Sequence, residues 1–421
     1  RRSMMGARDS LLPNSLGFVD IRPGISFPAL WNMRFTADVG LRIEDAMLAG
    51  DLQRQSTDLL QIYGWELKPW QDLSSSVSIT VRDRRYSDAF QLAGSKDLQT
   101  VLTRAQTRYA PLNGGLQTDL LYEVSTERTS RLQRVFLNVP YGQGNYEYLG
   151  DLNENGVQDE EEFELTRYEG DYVLLTLPTD ELFPVIDLKS SLRVRLRPHR
   201  FIEEESRAPL WKSLLRALST ESFVRIDEKS EEESTSDIYL LKLSRFLNDS
   251  TTLRGFQNLR QDVFLFERSP GFSLRFRFDE RRGFSQFALS SERSYRRERS
   301  LRAKTQLVRE IGLQTDLIFM DDRVSSTIFS SRARDINSSN LIADLSYRPW
   351  STLEIGFVLD TKSATDSYPD EAIEASITSL TLRSIASFDG PGRLRAEIER
   401  NDVSFSTEVD RFPFELTGGR A

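Results

Sequence analysis

Cysteine is absent from this sequence and histidine is rare, which excludes several classes of site. Its 421 residues contain no cysteine, which excludes disulfides, cysteine-ligated zinc, iron–sulfur clusters and thiol catalysis. Its one histidine is His199, so multi-histidine metal sites are excluded and any Ser-His-Asp site depends on that residue. No second catalytic partner can be assigned to His199 from the sequence. We therefore predict that the protein is not an enzyme.

Two further absences narrow the class of protein. No apolar run approaches about 18 residues, so the sequence predicts no transmembrane helix. This does not exclude membrane-spanning strands, because their apolar and polar residues alternate and a running average of hydropathy detects them only weakly. The net charge of −9 comes from interspersed Arg and Glu, without the basic face that nucleic-acid binding requires.

Strict alternation of apolar and polar residues is the dominant pattern. Between 341 and 360, two alternating segments flank a short turn, Pro349–Thr352. Successive side chains leave a strand on opposite faces, so this periodicity of two predicts two antiparallel strands. The pattern recurs along the chain, and we count roughly eighteen strand-like segments of about ten residues, the length that crosses a bilayer at a tilt.

The alternation divides the chain into four parts. We predict an irregular N-terminal segment over 1–31, strands over 32–139, an insert over 140–187, and strands again over 188–421. The first segment is interrupted by Pro13, Pro23, Gly24 and Pro28. Within the last part, PLWKSLLRAL (209–218) is compatible with a short helix at a membrane surface, a packed connector or further strand.

The predicted connections differ at the two ends of the strands. A recurring aromatic or apolar residue, one further residue and then Pro marks the short turns, at Pro69, Pro111, Pro198 and Pro349. The other connections are predicted to be long, polar and charged: 83–97, 290–300, 330–340 and 361–371. Short turns at one end and long loops at the other are typical of outer-membrane barrels.

Strand length and number favour a barrel over a sandwich. Globular strands usually run about 5–6 residues, and many long neighbouring strands need closure to remove their edges. We therefore predict an all-β fold, an antiparallel meander forming all or part of a transmembrane β-barrel, with one calcium-loop-like insert. The alternative is a soluble, calcium-stabilised, β-rich protein of the cell surface.

One stretch has metal-ligand spacing. The segment 151–162, DLNENGVQDEEE, places oxygen ligands at the spacing of a calcium loop, and Gly156 permits its sharp turn. The flanks read as strands and not as helices, so the loop resembles the helix-free calcium loops of extracellular proteins. The predicted ligands of a structural Ca²⁺ are Asp151, Asn153, Asn155, Val157 through its carbonyl, Asp159 and Glu162.

The insert sequence GNYEYLGDLNENGVQDEEEFELTRYEGDYVLLTLPTDELFP and the YRPW-type turns together resemble the large outer-membrane β-barrel proteins of the Bacteroidota and Chlorobi group. That group has no single settled function. Such barrels usually finish on a strand with an aromatic end. This chain finishes ELTGGRA, from which we expect that later strands are missing.

The expected function is that of a channel, translocation or surface-assembly scaffold in the bacterial outer membrane. Its expected partners are outer-membrane lipid, lipopolysaccharide, and periplasmic or surface proteins, without nucleic acid. The arginine-rich run RSYRRERSLR (293–302) suits lipopolysaccharide phosphates, although its interleaved Glu298 also fits a self-paired loop. The alternative is an adhesion protein in the extracellular space.

Overall fold

The computed structural model is dominated by antiparallel strands. It describes residues 4–406 apart from 6–9, 12–15, 31, 49, 71, 153, 155, 157, 204–208, 232–246, 248–249, 289, 328–332, 369–371 and 389–391. The N-terminal strands, up to the insert, are β1 (Met4–Met5), β2 (Ser10–Leu11), β3 (Leu16–Ile21), β4 (Gly24–Leu30), β5 (Met33–Leu48), β6 (Asp51–Trp70), β7 (Leu73–Tyr86), β8 (Leu98–Tyr109) and β9 (Leu116–Asn138).

The insert contributes two short strands, and ten long ones follow. The insert strands are β10 (Gly144–Tyr148) and β11 (Phe163–Gly170). The long ones are β12 (Tyr172–Leu196), β13 (Leu218–Ser230), β14 (Thr252–Leu265), β15 (Phe272–Gln286), β16 (Ser291–Val308), β17 (Ile311–Ser326), β18 (Arg334–Trp350), β19 (Leu353–Asp366), β20 (Ile373–Ser387) and β21 (Arg393–Phe405).

Helices are few and short. They are α1 (Asp88–Leu92), α2 (Pro111–Gly114), α3 (Leu210–Ala217) and two single 3₁₀ turns, Glu160–Glu162 and Pro198–Arg200. Of the helices in the described part of the chain, none is long and apolar enough to cross a membrane.

Each long strand pairs with its neighbour in sequence, with one exception. β9 pairs with β12 from Leu116↔Leu196 to Asn138↔Tyr172, and the insert leaves the sheet between them. The predicted fold class is therefore confirmed as an all-β antiparallel meander of the β-barrel type. The two-residue turns at 309–310 and 351–352 define the turn edge of the sheet, and the insert lies at the opposite edge, the loop edge.

The sheet has one apolar face and one charged face. In-register rows define the apolar face, such as the row of Leu313, Leu345, Phe357 and Leu382 across four neighbouring strands. The last three of these side chains are 39%, 44% and 49% exposed. A face whose large apolar side chains are half exposed over many strands is not the packed side of a soluble sandwich.

The charged face is held by ion pairs between strands that are one or two places apart in the sheet. The carboxylates are mostly buried and each contacts an arginine that reaches solvent. The pairs include Arg82–Asp58 (2.7 Å), Arg277–Asp262 (2.7 Å), Arg302–Asp316 (2.5 Å) and Arg383–Asp344 (2.9 Å). Gly356 lies beneath one of them, since a Cβ there would meet the Arg383 side chain at 2.3 Å. The missing side chain lets Arg383 cross to a strand two places away.

Two predicted boundaries are wrong. Residues 16–21 and 24–30 of the predicted irregular segment 1–31 are strand, because β3 and β4 both pair with β5 and act as one strand interrupted at Arg22–Pro23. Pro23 falls in this interruption and Pro28 at a register shift, where a missing N–H donor breaks no regular ladder. The insert ends earlier than 187: residues 172–187 belong to β12 and pair with β9, so the insert is 139–171.

The predicted long loops are mostly strand. Residues 291–300 lie in β16, 334–340 in β18 and 361–366 in β19. Their charges suggested loops, but pairs such as Arg297–Glu280 (3.1 Å) and Arg299–Asp321 (3.2 Å) let charged residues occupy paired strands. Pro69 and Pro349 also fall inside β6 and β18, at register shifts, one residue before each strand ends.

The sequence left three alternatives for the segment 209–218, and the structure shows that it contains the helix α3. The Pro turns at 111 and 198 open short helical turns instead of tight hairpins. The four predicted proline motifs therefore fall into two classes: strand ends at Pro69 and Pro349, and short helical turns at Pro111 and Pro198.

The charged face gives a stability prediction. We expect Asp262→Asn to lower the free energy of unfolding in detergent micelles by roughly 2 kcal/mol or more, because Arg277 and Arg260 would lose a carboxylate whose side chain is only 4% exposed. The matched control is Asp402→Asn, whose pair with Arg400 is 59% and 75% exposed. The control should cost under about 0.5 kcal/mol. Equal midpoints in denaturant titrations of both variants would contradict this.

Candidate functional site

The insert is packed onto the β9–β12 ribbon by aromatic rings. Phe136 of β9 stacks on Phe163 with the rings 3° from parallel, and meets Tyr146 edge-on at 5.2 Å between centroids. Tyr148 and Tyr172 lie 5.1 and 5.0 Å from the same Phe163 ring. Phe163 is 1% exposed and Tyr146 5%. The insert is therefore a packed unit with its own apolar centre and not a free loop.

One arginine joins the insert to a distant part of the sheet. Arg134 of β9 donates from Nη1 to Glu160 of the insert and from Nη2 to Glu292 of β16, each at 2.5 Å. Its guanidinium also lies 3.9 Å from the centre of the Phe287 ring. We call these four residues the clasp. The planar guanidinium suits two carboxylates and one ring face at once, which a lysine does not.

The clasp bridges strands that are far apart within the sheet. β9 and β16 are separated by five strand steps, through β12, β13, β14 and β15. At about 4.8 Å a step, that path is roughly 24 Å along the sheet. A direct ion pair over this separation requires the ribbon and its insert to arch across the loop edge to the β15–β16 turn. Arg134 is 4% exposed, so the bridge is dry.

A cavity of about 480 Å³ lies behind this bridge. It is lined by the insert at Gln158–Glu161, by Gln133–Phe136 on the ribbon, and by Phe287 and Ser290 of the β15–β16 turn. Three separate elements therefore enclose one space at the loop edge. Its lining includes the acidic residues Asp159, Glu160 and Glu161, of which Glu160 is paired with Arg134.

The predicted calcium loop is the outer part of the insert. Asp151 accepts a hydrogen bond from the Gly156 N–H at 2.8 Å, and Gly156 has φ +72°, the left-handed turn for which a glycine was expected. Glu162 is fully buried and accepts from the Leu152 N–H at 2.9 Å and the Asp159 N–H at 3.3 Å. The loop thus folds around the two carboxylates predicted at its first and last ligand positions.

The structure brings together Asp151 and Glu162 at the ends of this loop, and Asp159 caps the 3₁₀ turn with Glu162. Asn153, Asn155 and Val157 lie outside the described residues. Within the described part of the chain, no group of three or more His, Asp or Glu side chains is placed to hold a metal. Calcium binding stays a prediction.

Tyr148 lies beside Glu162 of the same loop. Burial, followed by the negative charge of Glu162, raises the pKa of the Tyr148 phenol above its ordinary value. The phenol therefore stays protonated and bonded to Glu162 over the neutral range.

The other residues singled out in the sequence have structural surroundings. His199 lies in a 3₁₀ turn beside a cavity of about 380 Å³ that also contains Glu267 and Arg268. Burial, then the charges of Arg268 and Arg200, lowers its pKa, so the imidazole is neutral at pH 7. The run 293–302 is part of strand β16, so the predicted self-paired loop is wrong: Arg297, Arg299 and Arg302 pair with carboxylates of the neighbouring strands.

The clasp is the feature that the sequence did not show. Arg134 stands in an ordinary alternating strand, and Glu292 is 158 residues away. The one available signal was Phe287, an aromatic residue in the short connection 287–290. Neither residue spacing nor composition relates Arg134 to that connection.

Comparison with known proteins adds little beyond the fold. No family model matches the chain. No curated protein matches it either. Among solved structures, it is similar to a variant of the ferric enterobactin receptor from Pseudomonas aeruginosa, with 9% identity over 92% of this chain and 69% of that one, and a TM-score of 0.27. A likeness of that size says nothing of ligand or mechanism.

The calcium prediction is testable on the folded protein. If the loop binds Ca²⁺, saturating calcium at 100 times the dissociation constant should stabilise it by about 2.7 kcal/mol, seen as a higher melting temperature than in chelator. Asp151→Asn should abolish that difference, whereas Glu161→Gln, an exposed acid of the same segment outside the predicted ligand set, should keep it. Identical melting curves with calcium and with chelator in the wild type would reject the site.

Proposed function

We propose that the chain is a membrane-spanning β-barrel of the bacterial outer membrane that acts as a channel, translocation or surface-assembly scaffold. The observation that carries this proposal is the height of the exposed apolar band. On β17 the apolar face runs from Ile311 to Phe319, and Asp321 and Arg323 follow in the same alternation. Those nine residues span about 27 Å of strand, or about 21 Å along a barrel axis at a tilt of about 40°. Outer-membrane barrels carry an apolar band of about 25 Å, and the band on β17 comes close to that height.

The band has a common upper limit on neighbouring strands. Glu280, Arg297 and Asp321 stand in one register row, directly above the row of Phe278, Arg299 and Phe319. Ion pairs link these positions along the sheet: Arg297–Glu280 at 3.1 Å, Arg299–Asp321 at 3.2 Å and Arg323–Asp335 at 2.8 Å. We call these six residues the charged collar. A sharp apolar-to-charged boundary at the same height suits the passage from hydrocarbon to headgroups.

The charged collar supports lipid headgroups and lipopolysaccharide as partners. Its arginines lie on the apolar face, where a lipid would reach them, and each is already oriented by a carboxylate. Guanidinium groups bind phosphate oxygens through paired hydrogen bonds. The neighbouring carboxylates repel a phosphate group unless a cation accompanies it or the phosphate displaces the carboxylate from its arginine.

The charged face would line the interior. Lumen walls of membrane barrels are polar, and buried carboxylates paired with solvent-reaching arginines, such as Asp58–Arg82 and Asp316–Arg302, provide such a wall. The alternative, a soluble surface protein stabilised by calcium, would leave the half-exposed rows of Leu345, Phe357 and Leu382 in water. Neither proposal assigns a chemical reaction to the chain.

The position of the insert supports the proposal that passage through the barrel is restricted. The clasp carries it from β9 to β16 across the loop edge, so it covers part of the opening that the charged face would surround. The calcium loop belongs to that cover, and bound calcium would stiffen it where calcium is plentiful. Periplasmic or surface proteins are the proposed protein partners, and they would act at this opening.

Detergent dependence tests the proposal directly. We expect the chain to fold only in micelles, with strand-type circular dichroism and a gel band that shifts on boiling, because the apolar band needs a non-aqueous contact. The paired measurement is the same preparation in plain buffer. A folded, monodisperse monomer there would reject the membrane assignment and favour the soluble surface protein.

The clasp gives a conductance prediction. In planar bilayers, Arg134→Ala should raise single-channel conductance or make it fluctuate, because removing a buried cation that holds two carboxylates costs about 3–5 kcal/mol and releases the insert. The matched control is Arg85→Ala, an arginine 75% exposed and paired with Asp83 on its own strand. Conductance of Arg134→Ala equal to that of the control and the wild type would show that the insert does not limit passage.

A further inference from the structure

Helix α3 has its polarity reversed with respect to a helix of a soluble protein. Leu210, Trp211 and Leu214 form one side, and they are 84%, 63% and 54% exposed. Leu215 on the same side is 39% exposed. A helix on the surface of a water-soluble protein buries its apolar stripe and exposes its polar side. Here four neighbouring apolar side chains are turned away from the protein.

The opposite side of α3 faces the protein. Ser213 and Arg216 line the cavity of about 380 Å³ that they share with His199, Glu267 and Arg268. Arg216 donates to the backbone carbonyl of Ile202 at 3.2 Å, which ties the helix to the segment after the 3₁₀ turn. The polar side is thus the anchored side, and the apolar side is the one presented outward.

The position of α3 relative to the sheet is fixed. The helix ends at Ala217 and β13 begins at Leu218, with no residue between them. Leu218 pairs with Leu265 at the turn edge, next to the start of the apolar face on β15 at Phe272 and Leu274. α3 therefore lies at the height where the apolar band ends, and it cannot move along the sheet without breaking β13.

Exposed aromatic side chains occur at the same edge of the sheet. Tyr109, Tyr347 and Trp350 are 40%, 42% and 66% exposed at the turn ends of β8 and β18, and Phe272 is 41% exposed. Amphipathic rings collect at the level of lipid headgroups, where one end is apolar and the other wet. Trp211 continues this set of rings on a helix.

We propose that α3 is an interfacial helix that inserts the side formed by Leu210, Trp211, Leu214 and Leu215 into the lipid leaflet at the turn edge. The occupant of this apolar side is lipid acyl chain just below the headgroups. Lys212 and Arg216 stand on the other side of the helix, at the level of the anionic groups. This inference rests on the proposed membrane function and adds a contact that the strands do not make.

Fluorescence quenching by lipid tests the inference. The chain has five tryptophans, so a Trp211-only variant carries Trp→Phe at 31, 65, 70 and 350. The full chain is folded into phosphatidylcholine vesicles, some with bromine near the headgroup end of the acyl chain and some with bromine near its terminus. We expect blue-shifted Trp211 emission, with a larger loss of intensity to the shallow bromines than to the deep ones.

A second reporter separates the two proposals. Trp65 stands in a row of the apolar face with Phe35 and Val77, so a Trp65-only variant reports the sheet. Quenching of Trp65 with no quenching of Trp211 would overturn the interfacial helix and leave the membrane barrel intact. Absence of quenching at both positions would overturn both.

A matched pair of substitutions tests the role of the two sides. In the Trp211-only background, Leu214→Asp should reduce quenching because it places a charge in the apolar side. Ser213→Asp, one residue away on the anchored side, should leave quenching unchanged. Loss of quenching in both variants or in neither would contradict the orientation proposed here, provided that the boiling shift of the gel band shows both to be folded.

Discussion

Backbone hydrogen bonding between neighbouring strands is the constraint on which the rest of the structure depends. It fixes which residue stands opposite which, and a shift by one residue would exchange the two faces. The row of Leu313, Leu345, Phe357 and Leu382 is apolar because four registers agree. The same registers place Arg302 opposite Asp316 on the other face. Apolar band and charged wall are two consequences of one pairing scheme.

Charge in this protein is organised by pairing across strands. The arginines of the run 293–302 divide between the faces, so that Arg297 and Arg299 join the charged collar while Arg302 joins the charged face. Each finds its carboxylate on a neighbouring strand. This explains how a chain with 28% charged residues forms such long strands. An exposed pair such as Arg299–Asp321 contributes little by itself, whereas breaking a pair with a buried carboxylate, such as Arg302–Asp316, leaves a buried charge unpaired. The backbone ladder supplies the rest of the stability.

The two edges of the sheet carry different devices. At the loop edge the insert is fastened by Arg134 to Glu292, so a segment of about thirty residues becomes a cover instead of a free loop. At the turn edge α3 continues into β13 and presents apolar side chains outward. Both features fit the proposed membrane-spanning barrel, in which the insert would lie at the opening and α3 at the lipid surface.

Much of the fold followed from the sequence, because alternation depends only on the geometry of a strand. Strands such as 341–348 and 353–359 and the antiparallel meander belong to that part. Tertiary structure decided what no local pattern contains. It made strands of 16–21 and of the charged stretch 291–300, since neighbours supplied their partners. It brought Arg134 to Glu292 across four intervening strands and turned the apolar side of α3 outward, because both depend on how the sheet curves and on what its edges face.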